Sequence, residues 1–252
     1  MSKFANLVKK ARYHLLYKNE YLQAKSTLET LNQRSERVVF ILTCGPSLEL
    51  YIENEALRQH LKDSYCISMK QAFNYFSTET DMHIVNEIRY QNYDYSTNRP
   101  LILSTGSLNE NIITDAHFPI FDYAYKSSTF VTNKYEEAKL SNLKVVRPWG
   151  IGVMYELGLF IPELIGAKKV VIIGFDMNNT GKYHFYDHQS HQDSQSYLVD
   201  TDEFSYNQQT IPFYENWMNK KGIDVALMSP LSTLPFSKRI DTIEQLNDFI
   251  AS

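Results

Sequence analysis

Cysteine is nearly absent from this chain: two in 252 residues, Cys44 and Cys66, each within an apolar, strand-like segment. With so few, buried free thiols are expected rather than a disulfide framework, which implies a reducing cytoplasm. An excess of positive charge is missing too. Twenty-five Lys and Arg stand against 29 Asp and Glu, a net charge of −4, which argues against general nucleic-acid binding because that needs a basic face. No apolar run reaches about 18 residues, and no signal-peptide pattern of charged and apolar regions occurs, so neither a span nor a leader is expected. Internal repeats and low-complexity tracts are lacking, as are the G-x-G-x-x-G and Walker patterns. What the chain has is apolar mass: 43% hydrophobic residues, with 18 Tyr and 14 Phe. That suffices for a full core, and suggests one large domain with an appendage.

The organising stretch is Arg37 to Leu48, RVVFILTCGPSL. Its apolar run Val38 to Leu42, rich in β-branched types, predicts a strand buried on both faces. Gly45-Pro46-Ser47 ends the run; the glycine allows a tight turn, and Ser47 suits the N-cap of a following helix. Strand, glycine turn and helix N-terminus would place unpaired backbone N–H groups at the carboxyl end of a sheet, where nucleotide phosphates tend to bind. A plain strand-to-helix turn is the alternative.

Residues 1–36 differ from the rest. Phe4, Leu7, Val8, Ala11 and Leu15 recur at helical spacing, and Lys3, Lys9, Lys10, Arg12 and Lys18 all precede the first acid, Glu20. Two readings stay open for this amphipathic extension: peripheral contact with an anionic membrane, or a packing helix or oligomer contact. Residues 37–252 form the expected catalytic domain. Further strands are predicted at Ser64–Met69, Asp81–Ile88, Pro100–Ser104, Lys169–Phe175 and Ile223–Met228, with an aromatic-rich insertion over Ser107–Asn142. Helices are predicted after Gly152, to about Ile165, from about Glu203 to Lys220, and over Asp241–Ile250. A polar loop of about 177–202 between them carries His184, His188 and His191 with Tyr183, Tyr186 and Asp187. Strands alternating with helices argue for an α/β fold, a doubly wound, mostly parallel, Rossmann-like sheet, and the long loop for a lid.

Several of these points together resemble the bacterial sialyltransferases of glycosyltransferase family 42. The likeness runs over roughly residues 37–240. It comprises the strand ending in Gly45-Pro46-Ser47-Leu48, Asn86 at the end of the third strand, and the turn Arg147 to Gly152 opening an apolar helix. It continues with Gly174-Phe175-Asp176, the segment His184-Phe185-Tyr186-Asp187-His188, and Gly222 to Ser229 followed by Pro230 and Leu231. The resemblance implies a sialyltransferase-type fold and inverting, metal-independent transfer from a CMP-linked sugar, with no other cofactor. It also implies a histidine base, His188, with His184 as its neighbour, and Arg147 and Tyr183 acting on the leaving phosphate. Donor contacts would come from Cys44, Gly45, Pro46, Ser47, Lys70, Gln71, Asn86, Gly150, Ile151, Gly152, Asp176 and Asn178. Cys44 and the pair Lys70/Gln71 stand where the family has asparagines, Asn178 replaces its first lid tyrosine, and the lid is shorter.

Taken on their own terms, these residues suit the task. A histidine titrating near neutrality can take an acceptor hydroxyl proton. Tyr183, Arg147 and Lys70 can stabilise charge on a leaving phosphate, and a closing loop excludes water. The expected function is transfer of sialic acid, Kdo or a related nonulosonic acid from its CMP donor to a bacterial surface glycan, lipooligosaccharide or capsule, in the cytoplasm, with the inner face of the cytoplasmic membrane as the alternative that the basic extension leaves open. The aromatic insertion offers a homo-oligomer interface. Alternatives remain: His184, His188 and His191 at i, i+4 and i+7, with Asp187 and Asp193, could ligate a metal; the chain could be a pterin or nucleotide pyrophosphokinase using Mg²⁺ at Asp176; or it could be a non-catalytic nucleotide- or glycan-binding module.

Overall fold

The computed structural model describes residues 26, 27, 30, 31, 34, 36–85, 93–105, 114–118, 154–176 and 201–252. The strands are β1 (Val38–Leu42), β2 (Tyr65–Met69), β3 (Met82–Val85), β4 (Leu101–Thr105), β5 (Ala116–Phe118), β6 (Lys169–Ile173) and β7 (Asp224–Met228). They form one sheet in the order β5-β4-β3-β2-β1-β6-β7, and every neighbouring pair is parallel. All five residues of β1 and of β6 are buried, as the continuous apolar runs require of strands covered on both sides.

Alternation along the strands divides the core into two layers. Val39, Ile41, Ile67, Val170, Ile172 and Leu227 point to one face, where they pack with Ile211, Tyr214 and Met218 of the helix Thr201–Lys220. Phe40, Leu42, Cys66, Val171, Ile173 and Met228 point to the other, against Leu57 and Leu61 of helix Glu55–Lys62 and Leu246 and Phe249 of helix Ile243–Ala251. This is the doubly wound α/β arrangement. The β1-to-β2 connection lies on one face, and the helix between β6 and β7 on the other. Between β1 and β6 the chain therefore parts in opposite directions, the switch point at whose carboxyl ends open α/β sheets form their binding crevice. Both cysteines are free and buried, and no described helix is long and apolar enough to cross a membrane.

Several local expectations give way to the structure. Ser47 does not cap a long helix. Gly45 is the N-cap of a 3-10 turn, Pro46–Tyr51, with Pro46 in its first turn, and the α-helix begins only at Glu55, where the Asn54 side chain accepts from the Leu57 N–H at 2.9 Å. The insertion expected over 107–142 contains β5, a three-residue edge strand paired with β4. The apolar helix expected after Gly152 is broken, within the described residues, into a π-helical turn, Met154–Gly158, and a short helix, Ile161–Leu164, with Pro162 in its first turn. The first 25 residues, most of the aromatic insertion and the loop 177–200 lie outside the described residues, so the amphipathic extension and the lid belong to expectation alone.

The C-terminal helix is tied to the sheet by one buried cation. Lys169 Nζ at the start of β6 donates to the carbonyls of Phe249 (2.5 Å) and Ile250 (3.3 Å) and to the Ser252 hydroxyl (2.9 Å). A lysine is favoured there because the last carbonyls of a helix lack intrahelical partners and carry the negative end of its dipole. Lys169→Met is expected to cost about 1–3 kcal/mol, measured by urea unfolding, with faster hydrogen exchange confined to the amides of the last helix.

Candidate functional site

β1 and β6 stay in register past their ends, and this builds the crevice wall. The Thr43 N–H and hydroxyl both donate to the Ile173 carbonyl, at 2.9 and 3.1 Å, and the Gly45 N–H donates to the Gly174 carbonyl at 2.8 Å. The approach leaves no room for a side chain at 45: a Cβ there would lie 2.2 Å from the Gly174 oxygen and 2.7 Å from Asp176 Oδ2. Gly174 itself has φ +75°, which a glycine adopts freely.

Asp176 closes the wall. Its Oδ2 accepts from the Ser47 N–H at 2.5 Å and its Oδ1 from the Ser47 hydroxyl at 2.7 Å, while Ser47 Oγ accepts from the Leu231 N–H at 3.2 Å. A carboxylate is thus already seated at the start of the 3-10 turn, the place where a ligand phosphate was expected. The N–H groups of Gly45 and Ser47 are not unpaired donors, because β6 and its following residues supply their partners. Burial pushes the Asp176 carboxyl above the usual carboxylate range, against the Ser47 hydrogen bonds and the Arg239 charge that pull it down. Tyr51, in the same turn, is pushed up to about 12 by burial, with the charges of Asp241 and Asp176 adding to the effect. Arg239 also donates to the carbonyls of Ser229 and Ser232 at 2.9 Å each, and Ser229 Oγ accepts from the Phe175 N–H at 3.1 Å. The segment after β7 is pinned to the same edge.

The other side of β1 is formed by the end of β2. The buried Cys44 thiol lies 3.3 Å from the Met69 carbonyl and 3.9 Å from Gln71 Oε1. Gln71 is 93% buried by its 7% exposure, and its Nε2 has no hydrogen-bond partner among the described residues. Lys70, between Met69 and Gln71, has φ +47°, the one described non-glycine residue with positive φ; for an L side chain that region costs roughly 1–2 kcal/mol.

The residue that accommodates this conformation was not expected to have a role. His83, at the centre of β3, is fully buried. Its Nε2 lies 2.9 Å from the Lys70 carbonyl and its Nδ1 lies 2.9 Å from the Tyr95 hydroxyl. A carbonyl only accepts, so Nε2 carries the proton, and Nδ1 accepts from Tyr95. The ring stacks on Phe73, centroids 4.6 Å apart at 16°, and meets Tyr93 edge-on at 4.6 Å. Burial lowers the His83 pKa to about 3 against the opposing pull of the Lys70 bond, so the ring is neutral, and burial likewise keeps the Tyr95 phenol protonated. A histidine in a buried apolar strand beside a turn was the available signal, but its partners lie 12 and 13 positions away in opposite directions.

Of the residues singled out from the sequence, the structure brings together Cys44, Gly45, Pro46, Ser47, Lys70, Gln71 and Asp176 along the carboxyl edge of β1, β2 and β6. Asn86, Arg147, Gly150, Ile151, Gly152, Asn178, Tyr183, His184, His188 and His191 lie outside the described residues. Among the described residues no group of His, Cys, Asp and Glu side chains is arranged to hold a metal ion. The assembled edge offers an amide donor, a thiol and a lysine on one side of a crevice whose other side is an internally satisfied carboxylate.

No protein-family model and no curated protein matches the sequence. Among solved structures, the chain is similar to the MAf glycosyltransferase from Magnetospirillum magneticum AMB-1, with a TM-score of 0.51 and 11% identity over 92% of this chain. This chain spans 41% of that protein's length. The likeness establishes a shared α/β architecture.

Gly45→Ala is expected to lose roughly 2–3 kcal/mol of stability, measured by urea unfolding, because the new Cβ meets backbone rather than a flexible side chain. His83 sets an acid limit on stability. Between its ordinary pKa of 6.5 and its folded value of about 3 the unfolded chain binds a proton that the folded chain refuses. Its contribution is therefore complete above pH 6.5 and falls with pH through that window, by about 1.4 kcal/mol per pH unit. Unfolding curves across the window should show this slope in the difference in stability between the wild type and His83→Gln.

Proposed function

We propose that the chain is an inverting glycosyltransferase that takes an acidic 2-keto-3-deoxy sugar (sialic acid, Kdo or a related nonulosonic acid) from its CMP donor and passes it to a bacterial surface glycan. The observation that carries this reading is the buried Gln71 Nε2, which has no hydrogen-bond partner among the described residues and sits beside Cys44 on the β2 side of β1, next to the point where β1 and β6 part. Open α/β sheets bind nucleotides at such a switch point. A donor held there without a partner costs free energy until a ligand acceptor, such as a pyrimidine carbonyl or a ribose or phosphate oxygen, satisfies it. The resemblance of Gly45-Pro46-Ser47 and Gly174-Phe175-Asp176 to the sialyltransferase pattern supports the same placement. So does the structural neighbour, itself a glycosyltransferase.

In this reading the Asp176–Ser47 clamp keeps the crevice open and shaped, and the β2 edge holds the nucleotide. Lys70, Arg147 and Tyr183 balance the charge that grows on CMP as the glycosidic bond breaks. His188, from the lid, removes the acceptor hydroxyl proton as that oxygen attacks the anomeric carbon from the opposite face. No metal is needed, because protein cations and hydrogen-bond donors stabilise the leaving phosphate.

Thermal-shift measurements with CMP, UMP, GMP and ATP should give a rise with CMP alone. His188→Ala should lower transfer by roughly two to four orders of magnitude while CMP binding persists. A shift with ATP that requires Mg²⁺ would favour pyrophosphoryl transfer, and undiminished turnover in His188→Ala would remove that residue as the base. Activity lost in EDTA and restored by zinc would assign the lid histidines to a metal.

A further inference from the structure

We propose that His83 is a positioning residue of the nucleotide site: it holds the Lys70 backbone in the left-handed region and so fixes where Gln71 presents its side-chain amide. The inference rests on the reading of this edge as the donor site, and it adds a residue that neither touches the ligand nor belongs to any motif.

The geometry carries it in three steps. Lys70 has φ +47° with a full side chain, in a position where glycine or asparagine would be the unstrained choice. Such a conformation persists only when its surroundings over-determine it. The surroundings include the Phe73 N–H, which donates to the Lys70 carbonyl within the turn, and the His83 Nε2–H, 2.9 Å from the same carbonyl, on a ring that is itself fixed by the Tyr95 hydroxyl at 2.9 Å and by stacking on Phe73 at 4.6 Å. Gln71 follows directly, with its Oε1 3.9 Å from the Cys44 thiol and its Nε2 unpartnered among the described residues. Were Lys70 to relax to an ordinary φ, the 3-10 turn Lys70–Ala72 would turn with it and the Gln71 amide would leave the Cys44 edge. Only the fraction of molecules keeping the strained turn would bind, and the apparent affinity would fall by that fraction.

The test compares CMP affinity by calorimetry in two polar variants, well below their melting midpoints. A glutamine side chain reaches the position of Nε2, and an asparagine side chain reaches only that of Nδ1. His83→Gln, which keeps the donor to Lys70, should bind CMP within about threefold of wild type, and His83→Asn, which loses it, should bind about tenfold or more weakly. In a Lys70→Gly background, where glycine takes positive φ unaided, the asparagine penalty should shrink to within about threefold. Equal affinities for the Gln and Asn variants, or an undiminished penalty in the glycine background, overturn the proposal and reduce His83 to a core residue. Should His83→Asn not fold, Tyr95→Phe removes only the hydroxyl that orients the ring; weaker CMP binding supports the lock and unchanged binding refutes it. Wild-type protein that binds no CMP refutes the donor-site reading itself, an outcome distinct from binding that ignores His83.

Discussion

The Asp176 carboxylate, gripped by both the amide and the hydroxyl of Ser47, is the interaction on which the rest of the candidate site depends. It joins the residues after β6 to the turn after β1, across the line where the chain departs to opposite faces of the sheet. A carboxylate at the first turn of a helical segment is favoured by the exposed N–H groups there, and this one spends those donors internally. In the proposed reading, ligand recognition passes from the backbone of the glycine turn to side chains on the neighbouring β2 edge. That is a different logic from a glycine-rich phosphate loop, in which the backbone amides are left vacant for the ligand.

The β2 edge has what the glycine turn lacks: a buried amide nitrogen that a ligand could satisfy, next to a strained residue that fixes its position. A buried amide without a partner costs about 1–3 kcal/mol, and a left-handed lysine adds a similar amount. Among the described residues both occur in adjacent positions, Lys70 by its φ and Gln71 by its Nε2. They are supported by a stiff foundation, since β1, β2 and β3 are buried along their whole lengths and His83 is held by a hydrogen bond at each ring nitrogen. Backbone strain and a buried polar atom without a partner, side by side at one sheet edge, are the pattern expected where a protein keeps a conformation for its function.

Much of the fold was legible because the sheet is parallel. Strands covered on both faces must be continuous apolar runs, and Val38–Leu42 and Lys169–Ile173 announce themselves in that way. β5 was not legible, since three residues on a sheet edge carry too little periodicity to stand out from the aromatic-rich segment around them. Pro46 and Asn54 were the signals that the helix after β1 starts late, one favouring the first turn of a short helical segment and the other capping the true α-helix. At the site, Gly45, Ser47 and Asp176 could be singled out by their place at strand ends, but their pairing with one another could not, because the contact spans 129 positions. His83 escaped for a similar reason: the residues that give it meaning surround it in space and share no motif with it.

The central claim is that a nucleotide occupies the β2 edge and satisfies Gln71. The most direct measurement is the side-chain amide resonance pair of Gln71, assigned by its loss in Gln71→Leu, followed by heteronuclear NMR through a titration with CMP. The account predicts a saturable displacement of that pair, absent with GMP and accompanied by movement of the Cys44 and Lys70 backbone signals. A Gln71 pair that stays in place while CMP binds elsewhere on the protein would contradict it.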